Sequence, residues 1–404
     1  MSKKIQKNLK TDSNLLVDLG EQPLSNRFLP LNSVVEVPRF PFKLCSDNKT
    51  GLVYLEKPFP VTELKSRYEW LTCYEPEDHL DKLVEKIIKL PGVNKSSVFG
   101  SYSFKDDTTL FRLKNLGYIN NWRIDPFVDL GIEDQCANVE TYQSEITLKK
   151  ARKICLRHGK ADVFIIRHVL EHAYDVDEFI KIIRSMINPK GYIIWEIPDC
   201  ERAFEKGDCT TLWEEHIHYF TQFTFKQLLL QKNFKIIDFI MENYSLENSM
   251  IAITQESVTK ELLIPDLKAV EIELNRAKIF INILKVRKTM LRLKLEMFKK
   301  NRGPIAIFGA GHLSISFLAL MELEDFVSFV IDDNENKKGM LLPVGRIKIV
   351  GSEFLEKSSI KLCLLGLNPQ NHEKVIKKHQ KFVEQGGLFA SIFPGTKNNL
   401  EIFN

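Results

Sequence analysis

The chain has 404 residues, so at roughly 100–200 residues per domain it should hold two to four domains. Its 44% hydrophobic and 27% charged residues are typical of a globular protein, and it contains no apolar run long enough to span a bilayer. The 57 basic and 53 acidic residues leave a net charge of +4, too small to indicate a broad surface for nucleic acid polymers.

The polar start of the chain lacks the apolar segment and the small-residue cleavage site of a signal peptide. The seven cysteines are odd in number and scattered, and no C-x-x-C pair occurs, which is typical of free thiols in a reducing compartment. We therefore expect a cytoplasmic protein that has no membrane partner.

Residues 1–78 predict a small irregular domain. Short apolar runs at 15–19 and 52–55 lie among Pro, Asn and Ser turn signals. The pattern changes near residue 79, where HLDKLVEKIIKL has apolar residues at helical spacing and stops at Pro91-Gly92.

Residues 79–258 alternate between predicted strands and helices, which indicates a parallel sheet covered by helices. The predicted strands are 97–100, 119–125, 161–167 and 192–197, and the predicted helices between them are 108–116 and 176–187. The runs NFKIIDFI and SMIAITQ follow, joined by a segment too short for a crossover helix, so they should pair antiparallel. Rossmann-like methyltransferases have this kind of sheet.

Residues 259–302 predict one long connecting helix, because apolar residues recur at three-, four- and seven-residue steps. The end of this helix is basic, with only Glu296 opposing Lys285, Arg287, Lys288, Arg292, Lys294, Lys299, Lys300 and Arg302. We favour a solvated face that complements the helix dipole, and the alternative is a site for a pyrophosphate-bearing ligand.

Residues 303–404 predict a second Rossmann-like unit. Strand IAIF is followed by the loop Gly309-Ala310-Gly311-His312-Leu313-Ser314, a helix, strand FVSFVI and Asp332. This is the order of a dinucleotide-binding unit, although Ser314 replaces the third glycine. The loop would bind a dinucleotide or a nucleotide sugar, or would serve packing alone.

Two residues suggest a nucleotide site in the central domain. Gly100 ends a predicted strand before a polar loop, where backbone N–H groups can approach a ligand. Asp125 ends the next predicted strand, where a carboxylate can bind both ribose hydroxyls. Each has a structural alternative: Gly100 would allow a tight turn, and Asp125 would begin an ordinary turn before Pro126.

Acid-base side chains follow two other predicted strands at the edge where open α/β sheets bind ligands. The segment RHVLEH places His168, Glu171 and His172 after strand 161–167, and Glu196 lies at the end of the next strand. Histidine and glutamate at this spacing resemble a metal site, but no third ligand is evident, so we expect no metal.

The segment LWEEHIHYFT concentrates Trp213, Glu215, His216 and Tyr219 within seven positions. A histidine beside a carboxylate is the usual arrangement for a general base. A polar surface loop is the structural alternative, and the position after a parallel strand leads us to favour function.

Taken together, these segments resemble the three-domain sugar C-methyltransferases, which use S-adenosylmethionine to methylate a carbon of a nucleotide-linked keto-deoxysugar. The similar segments, in order, are LVDLGEQPLSNRFLP, RYEWLTCYEPEDH, RHVLEHAYDVDEFI, WEIPD, EEHIHYFT, GAGHLSISFLAL, DDNENKKGMLLPVGRIKIV and GLNPQNHEKV. The resemblance implies an α/β chain with a small N-terminal domain (1–78), a class I methyltransferase domain (79–258), a connecting helix (259–302) and a C-terminal Rossmann-like domain (303–404). It implies S-adenosylmethionine as cofactor and a monomer or dimer.

The resemblance also implies residue roles. His216 would be the base that removes a proton beside the ketone, Glu215 its orienter or proton partner, and His168 or Tyr219 the donor to the enolate oxygen. The implied cofactor-binding residues are Gly100, Ser101, Tyr102, Asp125, Arg167 and His168. The implied substrate-binding residues are Tyr68, His79, Glu196, Trp213, Gly309, Gly311, His312, Asp332, Lys338 and Asn368.

Three features depart from the family. Its N-terminal domain usually holds zinc with four cysteines, but here Cys45 remains with Asn48 in the partner position, so we expect no zinc. The cofactor loop carries SFKDD in place of the second family glycine. Trp213 and Glu214 replace the usual Tyr and His, so no phenolic base is available there. A nicotinamide-dependent oxidoreductase using the 309–314 loop and a non-methylating descendant of the family remain as alternatives.

Overall fold

The computed structural model describes residues 12–71, 75–257 and 266–401. These ranges form three β-sheets packed on helices, which confirms the α/β fold class. The strands are β1 (Ser13–Pro23), β2 (Arg39–Asp47), β3 (Val53–Leu55), β4 (Phe99–Ser101), β5 (Asn121–Arg123), β6 (Ala161–Arg167), β7 (Ile187–Asp199), β8 (His218–Tyr219), β9 (Phe234–Glu242), β10 (Asn248–Glu256), β11 (Ile305–Phe308), β12 (Val327–Ile331), β13 (Ile349–Val350), β14 (Leu362–Leu365) and β15 (Leu388–Ser391).

The α-helices are α1 (Val61–Leu64), α2 (Leu80–Ile87), α3 (Asp107–Asn115), α4 (Val139–Glu145), α5 (Leu148–His158), α6 (Val176–Ser185), α7 (Glu201–Lys206), α8 (Gln222–Gln231), α9 (Leu267–Asn301), α10 (His312–Met321), α11 (Phe354–Lys357), α12 (His372–Lys378) and α13 (Gln380–Glu384). Short 3₁₀ helices lie at Phe104–Asp106, Leu170–His172, Cys209–Thr211, Glu324–Phe326 and Pro369–Asn371. Within the described ranges, no helix combines the length and the apolar character that crossing a membrane requires.

The N-terminal sheet is antiparallel, in the order β1-β2-β3-β8. Its last strand comes from the segment that carries the acid-base cluster, because Val53 pairs with Tyr219. This pairing therefore fixes the position of the segment that carries the acid-base cluster. The six described cysteines are free thiols, and Cys73 lies outside the described residues.

The central sheet has the order β5-β4-β6-β7-β10-β9. Its first four strands are parallel, and β10 pairs antiparallel with both β7 and β9, as the short connection predicts. Side chains of β6 alternate between two cores: Val163 and Ile165 pack with α2 and α3, whereas Phe164 and Ile166 pack with α5, α6 and α8. Burial on both faces explains why β6 reads as a continuous apolar run.

The C-terminal sheet is parallel throughout, in the order β13-β12-β11-β14-β15. The long helix α9 packs against both the central and the C-terminal parts of the chain. The solvated-face interpretation of its basic end is wrong for Arg287, which is 5% exposed, donates to the Gly207 carbonyl and pairs with Glu401. Lys288 pairs with Glu322 at 2.7 Å. Basic side chains at this end of α9 therefore tie the helix to its own chain.

Candidate active site

A cavity of ≈ 300 Å³ lies at the carboxyl ends of β6 and β7. Segments from all three parts of the chain line it: residues 75–78, the loops of the central sheet, and the start of α10 with the loop after β14. The lining side chains that can donate or accept hydrogen bonds or protons include Glu75, His168, Trp213, His216, Glu247, His312 and Asn368.

His168 follows β6 directly and has a positive φ of 51°, a strained conformation for a residue other than glycine. Three carboxylates surround its ring: Glu196 Oε1 lies 3.3 Å from Nε2, and Glu171 Oε1 and Glu75 Oε2 lie 3.5 and 3.9 Å from Nδ1. Burial opposes the charged form, but these carboxylates outweigh it and raise the pKa of His168 to about 10. His168 is therefore a charged hydrogen-bond donor at neutral pH.

Glu196 supports His168 from inside the sheet. Its Oε2 accepts from Arg167 Nε at 2.6 Å, and its Oε1 lies 3.1 Å from His79 Nε2. Burial alone would raise the pKa of Glu196, but Arg167, His168 and His79 lower it well below its ordinary value. Glu196 is fully buried outside the cavity lining, so the structure gives it a positioning role in place of the predicted substrate contact.

His216 lines the same cavity as His168. Its ring meets the His172 ring edge-on, with centroids 4.8 Å apart, and lies 5.2 Å from the Trp213 ring. Burial, together with the nearby His172 and Lys105, lowers the pKa of His216 well below its ordinary value. The neutral form of the His216 ring is therefore the favoured one.

Glu215 does not orient the His216 ring, since no hydrogen bond joins the two side chains in the described part of the chain. It lies instead with Glu140 and His172, whose Oε1 and Nδ1 are 2.5 Å apart. Burial and the nearby Glu140 and Glu214 raise the pKa of Glu215 well above its ordinary value. The His172 ring, held by Glu140, takes the place beside His216 that the sequence predicts for Glu215.

The same cluster contains the third ligand that the sequence does not reveal. Potential ligand atoms of Glu171, His172 and His216 lie within 4.8 Å of one another, as do those of Glu140, His172 and Glu215. Both Glu171 carboxylate oxygens and His172 Nε2 are buried and make no hydrogen bond to the described residues. These donors could hold a divalent cation, but the function proposed below does not require one.

Two predicted tyrosines lie outside the cavity lining. Tyr219 is buried in β8, and its hydroxyl donates to the Trp213 carbonyl at 3.2 Å. Tyr68 donates to the Phe28 carbonyl at 3.0 Å. Because both hydroxyl protons are used within the chain, the structure favours His168 over Tyr219 as donor to a bound ligand.

The C-terminal domain reaches the cavity through His312, at the start of α10, and Asn368. His312 stacks on Trp213 with centroids 4.4 Å apart and an interplanar angle of 16°. By contrast, Lys338 pairs with Glu335 outside the cavity lining, so the predicted substrate contact is not seen there.

Residues of the same chain engage the polar groups at the 309–314 loop. Asp332 accepts from the Ala310 backbone N–H at 2.8 Å and pairs with Lys337, so its carboxylate is engaged where a dinucleotide ribose would bind. Gly309 has φ +103°, which requires glycine. Gly311 has open space around the position of a Cβ atom.

The predicted cofactor residues share one edge of the central sheet, because β4 and β5 are parallel neighbours. A Cβ on Gly100 would lie 2.7 Å from the Trp122 ring and 2.8 Å from the Phe164 ring, so packing alone requires this glycine. Asp125 Oδ1 accepts from the Val128 N–H at 2.7 Å, which is the ordinary turn. The turn proposed as the alternative for Asp125 is therefore present, whereas Gly100 lies within β4 and is required by packing and not by a turn. The ligand roles of both residues stay predictions.

Asp106 occupies the loop after β4. Its carboxylate accepts from the backbone N–H groups of Tyr102 and Ser103 at 3.0 Å and of Arg167 at 2.9 Å. Burial raises the pKa of Asp106 to about 7 despite these bonds. Ser101 Oγ, in contrast, is buried with no hydrogen-bond partner in the described ranges, so this edge retains a polar group that a ligand can satisfy.

Sequence reasoning missed several acidic residues of the site: Glu75, Asp106, Glu140 and Glu247. Glu75 and Asp106 lie in segments already singled out, EPEDH and SFKDD. Glu140 has no local signal, because its role depends on contact with His172 across the fold. Burial and nearby Glu75 raise the pKa of Glu247 to about 8.

Two family models match separate parts of the chain. Residues 107–238 match the family model described as a methyltransferase domain, and residues 270–394 match the one described as a C-methyltransferase C-terminal domain. The chain is thus an S-adenosylmethionine-dependent methyltransferase, with support for the C-methyltransferase family. The C-methyltransferase NovU of Streptomyces niveus is 22% identical over 329 residues, which cover 78% of this chain and 77% of NovU.

Solved structures with some likeness include the glycopeptide N-methyltransferase MtfA with sinefungin, at 11% identity and a TM-score of 0.30, covering 46% of this chain and 96% of MtfA. Another is the magnesium protoporphyrin IX methyltransferase ChlM of Synechocystis PCC 6803 with S-adenosylhomocysteine, at 14% identity and a TM-score of 0.30, covering 47% of this chain and 91% of ChlM.

Proposed function

We propose that this enzyme transfers a methyl group from S-adenosylmethionine to a carbon beside the ketone of a nucleotide-linked keto-deoxysugar. One observation carries the proposal: His168 and His216 line the same cavity, and their surroundings shift their pKa values in opposite directions. A charged donor and a neutral acceptor that line one cavity are what enolate formation requires.

The two histidines would divide the chemistry between them. Neutral His216 takes the proton from the carbon next to the ketone, and charged His168 donates a hydrogen bond to the oxygen that becomes negative. S-adenosylmethionine supplies an electrophilic methyl group on sulfur. The carbon–carbon bond forms as the sulfur–methyl bond breaks, and the proton stays on His216 until solvent removes it.

The rest of the cavity suits a sugar nucleotide. Glu75, Asp208 and Glu247 offer carboxyl groups to sugar hydroxyls. The N-terminus of the ten-residue helix α10 lies at the cavity near His312, where its backbone dipole favours a phosphate. Trp213 lines the same cavity, stacked on His312.

The experiment is a methyl-transfer assay with S-adenosylmethionine and a set of nucleotide-linked keto-deoxysugars, with the product examined by NMR for a new carbon-bound methyl group. Calorimetric titration with S-adenosylhomocysteine accompanies it. Cofactor binding and C-methylation of at least one sugar support the proposal. Cofactor binding with methylation of another compound class in its place would overturn the assigned substrate, and absence of binding would support a non-methylating descendant.

A further inference from the structure

The long helix α9 carries a second apolar stripe that the described part of the chain leaves exposed. Ile272, Ile279, Val286 and Leu293 follow one another at seven-residue intervals, with exposed fractions of 54–66%. Met290 and Met297 lie four residues after Val286 and Leu293 on the same face and are 37% and 63% exposed. Steps of four and seven place all six side chains along one side of the helix.

This stripe is distinct from the face that α9 buries within the chain. The buried face consists of other residues, among them Ala277, Phe280, Leu284 and Leu291. An apolar stripe that runs from Ile272 to Met297 extends roughly 38 Å along the helix. Monomeric proteins rarely expose a continuous apolar surface of that length.

We propose that this stripe is the interface of a homodimer, in which α9 of two copies packs antiparallel. The spacing suits a second copy, because four of the six residues form two pairs about the point between Leu284 and Lys285, whereas Val286 and Leu293 would face Ile283 and Arg276. Ile272 and Met297 are equally distant from that point, and so are Ile279 and Met290. A two-fold axis there brings Ile272 onto Met297 of the second copy and Ile279 onto its Met290, as in an antiparallel coiled coil.

The available area reaches the size of a specific dimer. The exposed fractions of the six residues correspond to roughly 600 Å² per copy, so two copies would bury about 1,200 Å² if all six were fully covered, which is the lower end of specific interfaces. The neighbouring Arg276 is held by Glu201 and Glu205 of α7, so a fixed polar edge borders the stripe. This proposal is independent of the catalytic function.

Sedimentation velocity of the full chain tests the interface. We expect the wild type to be a dimer and the Ile279→Lys/Val286→Lys variant to be a monomer, because two charges per copy would be buried in the dimer interface. The matched control is Leu156→Lys, which changes an 87%-exposed leucine on α5 and should leave the dimer intact. Circular dichroism confirms that each variant is folded. A monomeric wild type, or a dimeric folded double variant, would overturn the proposal.

A mixing experiment tests the antiparallel orientation. Ile279→Lys and Met290→Glu should each weaken the dimer at least tenfold when studied alone. Mixed together they should associate more tightly than either does alone, because an antiparallel seam places the new lysine opposite the new glutamate. A mixture that associates no better than the separate variants would refute this orientation.

Discussion

The charge on His168 depends on a nearby carboxylate, Glu75, which is one of the acids that sequence reasoning missed. Of the single interactions that raise the pKa of His168, the charge of Glu75 is the largest, although its Oε2 lies 3.9 Å from Nδ1. At that distance two unit charges interact by about 4 kcal/mol at an effective dielectric of about 20, which corresponds to roughly 3 pKa units. The Glu75→Gln variant should therefore lower the pKa of His168 from about 10 to roughly 7–8.

The assay is the pH dependence of the methyl-transfer rate at saturating cofactor. The wild type should keep its activity on the alkaline side until the pH approaches about 10, where His168 loses its proton. Glu75→Gln should lose activity from roughly pH 7–8 upward for the same reason.

Glu77→Gln provides the matched control, because the nearest basic partners of Glu77 are Arg112 and Arg167, each at 3.7 Å, and His168 is not among its contacts. The pH at which Glu77→Gln loses activity on the alkaline side should be the same as in the wild type. An unchanged alkaline limb in Glu75→Gln would refute the assignment of His168 as the charged donor.

Two further predictions concern the edge of the sheet beside the cofactor loop. Gly100→Ala should lower the free energy of unfolding, measured by urea denaturation, by roughly 1–3 kcal/mol, because the added methyl group would overlap Trp122. Gly311→Ala should be tolerated, because the position of its Cβ atom is open space. Equal stability of the two variants would contradict the packing role of Gly100. Asp106 binds more protons in the folded state than in the unfolded state between about pH 3.8 and about pH 7, so it should reduce stability by up to roughly 4 kcal/mol as the pH rises through this window. Asp106→Asn should flatten this pH dependence in urea titrations, and an identical slope in both proteins would show that Asp106 does not titrate there.

Much of the central sheet could be predicted because its strands obey local rules. Strand β6 begins and ends at the predicted residues, since a fully buried parallel strand is a continuous apolar run. The hairpin of β9 and β10 was predictable from its short connection. Strand β8 was not, because its two residues pair with β3, more than 160 positions earlier, and no local pattern encodes such a contact.

The site shows the same limit. His168 and His216 could be named from their positions after parallel strands, but their opposite pKa shifts depend on neighbours from distant segments. The sequence pairs Glu215 with His216 because they are adjacent in the chain, whereas the fold places His172 beside His216. The basic end of α9 was misjudged for a related reason, since the partner of Arg287, Glu401, lies 114 residues away.

The most direct test of the account is deuterium exchange from solvent into the keto sugar, catalysed by the His216→Asn variant in the absence of methyl donor. Asparagine keeps a polar side chain of similar reach but cannot accept the proton. We predict that exchange and methyl transfer both fall by roughly 10²–10⁴-fold, while binding of the sugar nucleotide is nearly unchanged. Exchange at the wild-type rate in His216→Asn would contradict the account, because another group would then have to be the base.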